Sequence, residues 1–143
     1  MAVRDQVNNT DYKVAIPPTV LVDGTTLTSG AIDTLGFESV TFGTILGTLV
    51  DVDATWTMTI KEGATNVQAA HTIVTDEFLI GTAALAGFTF ADDNKCKKVG
   101  YKGGQRYVSC VITNIVANLS AAPVAVFCAL GHPKTRPTAN PPA

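Results

Sequence analysis

The sequence predicts an all-β protein: a single domain folded as a jelly-roll-like or related β-sandwich. Three observations carry this. Short apolar/polar alternations recur along the chain. Clusters of Gly, Asn, Asp and Pro separate them at a spacing of roughly ten residues, the pattern of sandwiches and jelly rolls. No stretch carries a convincing helical repeat. A chain of 143 residues suits one domain with one core.

The segments follow in order. Residues 1–12 are polar and unpatterned, an N-terminal arm. The sandwich is expected over residues 13–131. Residues 13–22 form the first strand, but Pro17-Pro18 interrupts it. Proline has no N–H for a ladder, so this strand belongs at a sheet edge or a bulge. Asp23-Gly24 signals a turn, and residues 27–34 form a short polar strand weakened by Gly30, again at an edge or bulge. Residues 37–46 alternate, with Val40, Phe42 and Leu46 on one buried face. Residues 54–60 give the cleanest period of two: Trp56, Met58 and Ile60 on one side, Thr55, Thr57 and Thr59 on the other. KEGATN at 61–66 is a turn cluster. Residues 67–75 lean to strand, DEFLIG at 76–81 is acidic and then apolar, and residues 88–90 form a short strand before the charged turn ADDNKCKK.

The most continuous apolar run follows, at residues 99–131. After the Gly103-Gly104 turn, residues 105–116 place Val108, Cys110 and Ile112 on one face. Residues 123–130 place Val124, Val126, Cys128 and Leu130 on one face, against small Ala125 and Ala129. The two read as a hairpin closed by residues 117–122. Burying its apolar side chains stabilises the fold by roughly 1.5–3 kcal/mol each. The expected core includes Trp56, Met58, Ile60, Val108, Cys110, Val126 and Cys128. The last segment, residues 132–143, is a Pro-rich tail. Four of the seven prolines lie there. Polyproline II, at about 3.1 Å per residue, lets such a tail extend along a neighbour; otherwise it stays disordered.

Charged residues make up only 15% of the chain, against about 25% in an average soluble domain. That points to surface covered by a partner or to a neutral Thr-rich sheet face. The net charge of −2 favours neither nucleic acid nor an anionic membrane. Its distribution is uneven: −9 before residue 94 and +7 from there on. The basic residues either mix with acids once the strands interleave or mark an association surface.

The start lacks the apolar stretch of a secretory signal, so synthesis in a cytoplasm is expected. No apolar run approaches the length of a membrane span. Cys96, Cys110 and Cys128 are an odd set, read as reduced thiols, although Cys110 and Cys128 are placed to meet across the hairpin. His71 and His132 have no Cys, Asp or Glu at ligand spacing, and no metal or cofactor is expected. The acid pairs Asp51/Asp53 and Asp92/Asp93 lack the oxygen-rich loop that calcium needs. No nucleophile elbow is present, and no helix follows the glycine pair to make a phosphate loop. No enzyme activity is expected.

The segments VGYKGGQRYV and AVFCALGHPKTRP, with DTLGFESVTFGTILG and DEFLIG upstream, resemble a family of small tailed-phage and prophage virion proteins, the capsid cement or decoration proteins. The resemblance spans most of residues 31–137. It departs from the family's pattern at Cys110 and Cys128, where plain aliphatics are expected, and in its longer proline tail. The resemblance implies a structural protein on the capsid exterior, assembled as a dimer or trimer, that bridges major capsid subunits. With no catalysis, nucleic acid or membrane in the reading, contacts to other chains are expected from residues 1–12 and 132–143. Arg4, His132, Lys134 and Arg136, together with Lys102 and Arg106, are the candidate interface residues. Two alternatives stand beside it: another virion part (tail, neck or head-fibre base), or a carbohydrate-binding β-sandwich with an aromatic-lined groove.

Overall fold

A computed structural model describes residues 5–22, 24–116 and 121–139. The strands are Thr10–Leu21 (β1), Thr26–Thr28 (β2), Ile32–Asp33 (β3), Phe37–Leu46 (β4), Thr55–Gly63 (β5), Thr72–Ile73 (β6), Leu79–Ile80 (β7), Phe88–Thr89 (β8), Cys96–Tyr101 (β9), Tyr107–Val116 (β10) and Ala122–Pro133 (β11). One helical turn, Ala83–Ala86 (α1), lies between β7 and β8. The strands form two antiparallel sheets. The first runs β1-β11-β4-β9-β7. The second runs β2-β10-β5-β6, with β3 on β10 and β8 on β5. This is the β-sandwich the sequence predicts.

β4 has the bounds read from its alternation. β1 is an edge strand, and its register slips between Val14 and Ile16 and again between Ile16 and Thr19. The two prolines thus sit where no ladder N–H is required. Residues 27–34 split into β2 and β3, both on β10. At the break, Ser29 Oγ accepts from Cys110 N at 2.9 Å, so a buried amide stays satisfied. β5 runs three residues past Ile60 because its far end is paired with β10 and β6. The expected strand at 67–75 is a 3-10 turn over Gln68–Ala70 and then two strand residues.

The expected hairpin at 105–130 is not one. β10 pairs with β2, β3 and β5, whereas β11 pairs with β1 and β4. The connection, whose residues 117–120 lie outside the described residues, crosses from one sheet to the other. The alternation holds in either arrangement, because an arch also points both apolar faces at one core. The long strands β4, β5, β9, β10 and β11 change sheet at each step, the interleaving of a jelly-roll-like sandwich.

Every expected core residue is buried, from Trp56 and Met58 through Cys110 and Cys128. The two buried cysteines therefore sit across the sandwich, not across a hairpin, and both are free thiols. Burial pushes each up to about 12, and for Cys128 the nearby Cys110 and Asp11 add to this. A raised thiol value favours the folded state while the thiols stay neutral. That contribution is present below about 9 and is lost as pH rises towards 12. Titration of the dilute, dissociated chain with an aromatic disulfide at neutral pH should find one fast thiol, Cys96, which is exposed on the single chain, and all three only after unfolding.

Candidate binding surface at one end of the sandwich

Five of the six candidate interface residues converge on one end of the molecule. The sixth, Arg4, lies outside the described residues. A groove of about 510 Å³ is lined by residues 34–41, residues 101–106, Ile80 and Lys134, and so holds Lys102, Arg106 and Lys134. A neighbouring groove is lined by Asp5, Gln6, Asn9, Thr10, Ser39, Gly131, His132 and Arg136. Ser39 lines both. The convergence follows from register: β11 returns beside the start of β4, with Gly131 opposite Ser39 and Pro133 opposite Phe37. It also lies beside the start of β1, with Gly131 opposite Thr10.

The groove has a rigid wall. Tyr101, at the end of β9, donates its hydroxyl proton to Glu62 at the end of β5 and accepts from Gln105 N. One phenol thereby ties the two sheets and the 102–105 loop together. Burial, and then the bond to Glu62, raises its ionisation above the ordinary tyrosine value. Gly103 is required beneath it, since a Cβ there would lie 2.4 Å from the Tyr101 oxygen. Tyr101→Phe should cost about 1 kcal/mol, the usual net worth of a hydrogen bond, because Glu62 is half-buried and Gln105 exposed, so water can reach both. Urea unfolding measures the loss, and faster amide exchange at residues 102–105 would mark the loosened loop.

The cations of this end are partly neutralised. Arg106 grips Asp33 with two bonds, Nε to Oδ1 at 2.9 Å and Nη2 to Oδ2 at 2.6 Å, and its guanidinium lies over the Tyr107 ring. The Arg106 bond holds the Asp33 carboxyl below the usual range. Further away, Lys95 and Lys97 both reach Asp92. So most of the basic run mixes with acids, as interleaved strands allow. Lys102, Lys134 and His132 are exposed, and among the described residues Glu38 is the one carboxylate lining the first groove. Sequence reasoning missed Asp33, Glu62 and Glu38. Asp33 lies 73 residues from Arg106, and no local pattern links them.

The arm and tail differ from the free, extended segments expected. Residues 10–12 belong to β1, and β11 runs through His132 to Pro133, which is buried. Over the described residues the tail is clasped to the arm. Thr138 N donates to Asn8 O at 3.1 Å, and Thr138 Oγ1 lies 2.9 Å from Val7 O and 3.1 Å from Thr10 O. Asp5 closes the arm by accepting from Asn8, and those bonds hold its carboxyl below the usual range, with Arg136 adding a smaller pull. One threonine thus fastens the tail to the arm with two donors, its N–H to Asn8 O and its single hydroxyl proton shared between Val7 O and Thr10 O.

The histidines and the tryptophan are placed as follows. His71 is buried between Ser109 Oγ, 2.9 Å from Nδ1, and Thr65 O, 3.0 Å from Nε2. The carbonyl can only accept, so Nε2 carries a proton and the ring is a structural link. Among the described residues no group of three or more His, Cys, Asp or Glu is placed to hold a metal ion. Trp56 is 1% exposed and stacks on Phe88. The aromatic rings at the first groove, Phe37 and Tyr101, pack against or within the core and offer no stacking platform.

No protein-family model and no curated protein matches the chain. Solved structures do. The PBSX exported protein XepA has a TM-score of 0.56 at 15% identity over 87% of this chain. The chain spans 38% of that protein's length. The CBM22-1-GH10 modules of a Clostridium thermocellum xylanase 10B give 0.49 at 7% identity, over 90% of this chain and 27% of that one. A family two carbohydrate esterase from Cellvibrio japonicus gives 0.40 at 8% identity, over 91% and 32%. At these identities the likeness is one of fold.

Proposed function

We propose that this chain is a structural protein of a tailed-phage or prophage virion that binds the outer capsid surface and bridges major capsid subunits. The work is adhesion, without catalysis. The observation that carries the reading is the gathering of His132, Lys134, Arg136, Lys102 and Arg106, with the described parts of both terminal segments, at one end of a rigid sandwich. Separated stretches of sequence that resemble decoration proteins thereby form one surface. The likeness in fold to the PBSX exported protein XepA is in keeping with it. Oriented cations at a rim speed encounter and fix register more than they add affinity. Several attachment ends on one assembly raise effective concentration, so modest contacts sum to firm attachment.

The tail is tested by truncation. Ending the chain after Lys134 spares β11, whereas a cut at residue 132 would remove buried Pro133 from its place opposite Phe37. The shortened chain should keep the circular dichroism of the full one and co-sediment less with phage heads stripped of this protein. Equal co-sedimentation would remove the tail from the interface. Failure of the full chain to bind any head would end the reading.

A further inference from the structure

We infer that the outer face of the first sheet is a self-association surface on which a second copy of this chain packs, sheet against sheet. The inference deepens the self-association within the reading above, but its test needs no capsid. Three observations support it.

The face is apolar. Val14, Ile45 and Ile80 are 71%, 53% and 65% exposed, and Val20 and Tyr12 are also exposed. The Phe127 ring lies across Gly43, where a Cβ would meet the ring at 2.2 Å. Among the described residues on the outward-facing positions of these strands, Lys98 is the one charged side chain. The low overall charge of the sequence is thus concentrated in a particular place.

The face also has the area of a dimer interface. β1, β11 and β4 have 12, 12 and 10 residues. With the shorter β9 and β7, at about 4.8 Å between strands and 3.3 Å per residue, the area is roughly 650 Å² per copy. Two copies would bury about 1,300 Å², inside the range of stable specific interfaces.

The register also allows the face to pack on itself about a two-fold axis. The register sets Tyr12, Ala129, Thr41, Gly100 and Ile80 in one row. A two-fold axis along the strands, between β11 and β4, lays each β1 over the partner's β9. Tyr12 then stands over Gly100 and the Ile80 side chain that leans across it, 3.0 Å from where a Cβ would lie, an apolar contact within the roughly 30° twist usual for packed sheets. Lys98, in the row of Val14, then lies beside the partner's Val14 on the outermost overlapping strand, where its stem covers apolar surface and its ammonium reaches water. A partner recognised through charge would find nothing else to pair with. This axis points both basic ends in the same direction, so one dimer presents two attachment ends to one surface. That last consequence alone rests on the capsid-binding reading.

Sedimentation equilibrium of the full chain across micromolar concentrations tests the proposal. The expected result is reversible association to twice the monomer mass. Ile45→Glu and Ala125→Glu, at outward positions that face each other across this axis, should each weaken it at least tenfold with circular dichroism unchanged. Ile73→Glu, at an exposed site on the other sheet, should leave it intact. A wild-type chain that stays monomeric, or that forms trimers, overturns the proposal without help from any variant. So does association that survives both glutamates, or that Ile73→Glu abolishes equally. Dimerisation without head binding would leave this inference standing and remove the capsid reading; head binding by a monomer would do the reverse.

Discussion

Replacing Trp56 with alanine should cost about 3–5 kcal/mol of stability, the range for deleting a large buried aromatic. Against a total of roughly 5–15 kcal/mol for a domain, that is a large share. Trp56 is among the largest fully buried side chains. It lies on the inward face of β5, and its ring stacks on Phe88 with centroids 5.1 Å apart and planes 17° from parallel. Removing it leaves a hole between the second sheet and the short β8 segment that pairs with it at Trp56 and Phe88. The indole N–H has no acceptor among the described residues. Trp56→Phe therefore gives up ring volume and no hydrogen bond, and should cost clearly less than the alanine variant. Urea midpoints for the two variants check the order. Equal losses would show that the indole nitrogen matters more than the packing.

The second large effect is on binding. Lys102→Glu combined with Lys134→Glu should weaken attachment to phage heads by at least about tenfold, mainly through slower association and lost salt sensitivity. Both side chains are exposed on one groove, and they come from loops brought together by the ends of β9 and β11. Neither carries a core contact, so the unfolding midpoint should stay close to wild type. Arg106 is a poor choice for this test. Its grip on Asp33 means that changing it would also release a carboxylate and disturb the β3 edge. Binding by the double variant that matches wild type in strength and in salt dependence would show that these lysines are merely solvated.

Much of this architecture is legible in the sequence, and the limits have physical causes. β4 is read to the residue because its alternation is unbroken and both flanks carry turn signals. β1 is placed at an edge because proline cannot serve a central ladder, and the register slips bear that out. The partner of each strand is another matter. Alternation says which side chains face inward but not which strand lies alongside, so the arch from β10 to β11 is read as a hairpin. Two-residue strands such as β6, β7 and β8 carry no period of their own and exist only through pairing with β5 or β9. At the candidate surface, the basic residue types are visible in the sequence. Their meeting at one end is not, because it depends on β11 returning between β1 and β4. The clasp at Thr138 is equally hidden, since its partners lie about 130 residues away.

Electron cryomicroscopy of particles that carry this chain tests most directly which part of a virion the sandwich touches. The expected map shows paired β-sandwich density on the outer shell, with the end bearing Lys102, Lys134 and Arg136 turned towards the seams between capsid subunits. Density confined to the tail or neck, or heads that contain none of this chain, would contradict the account.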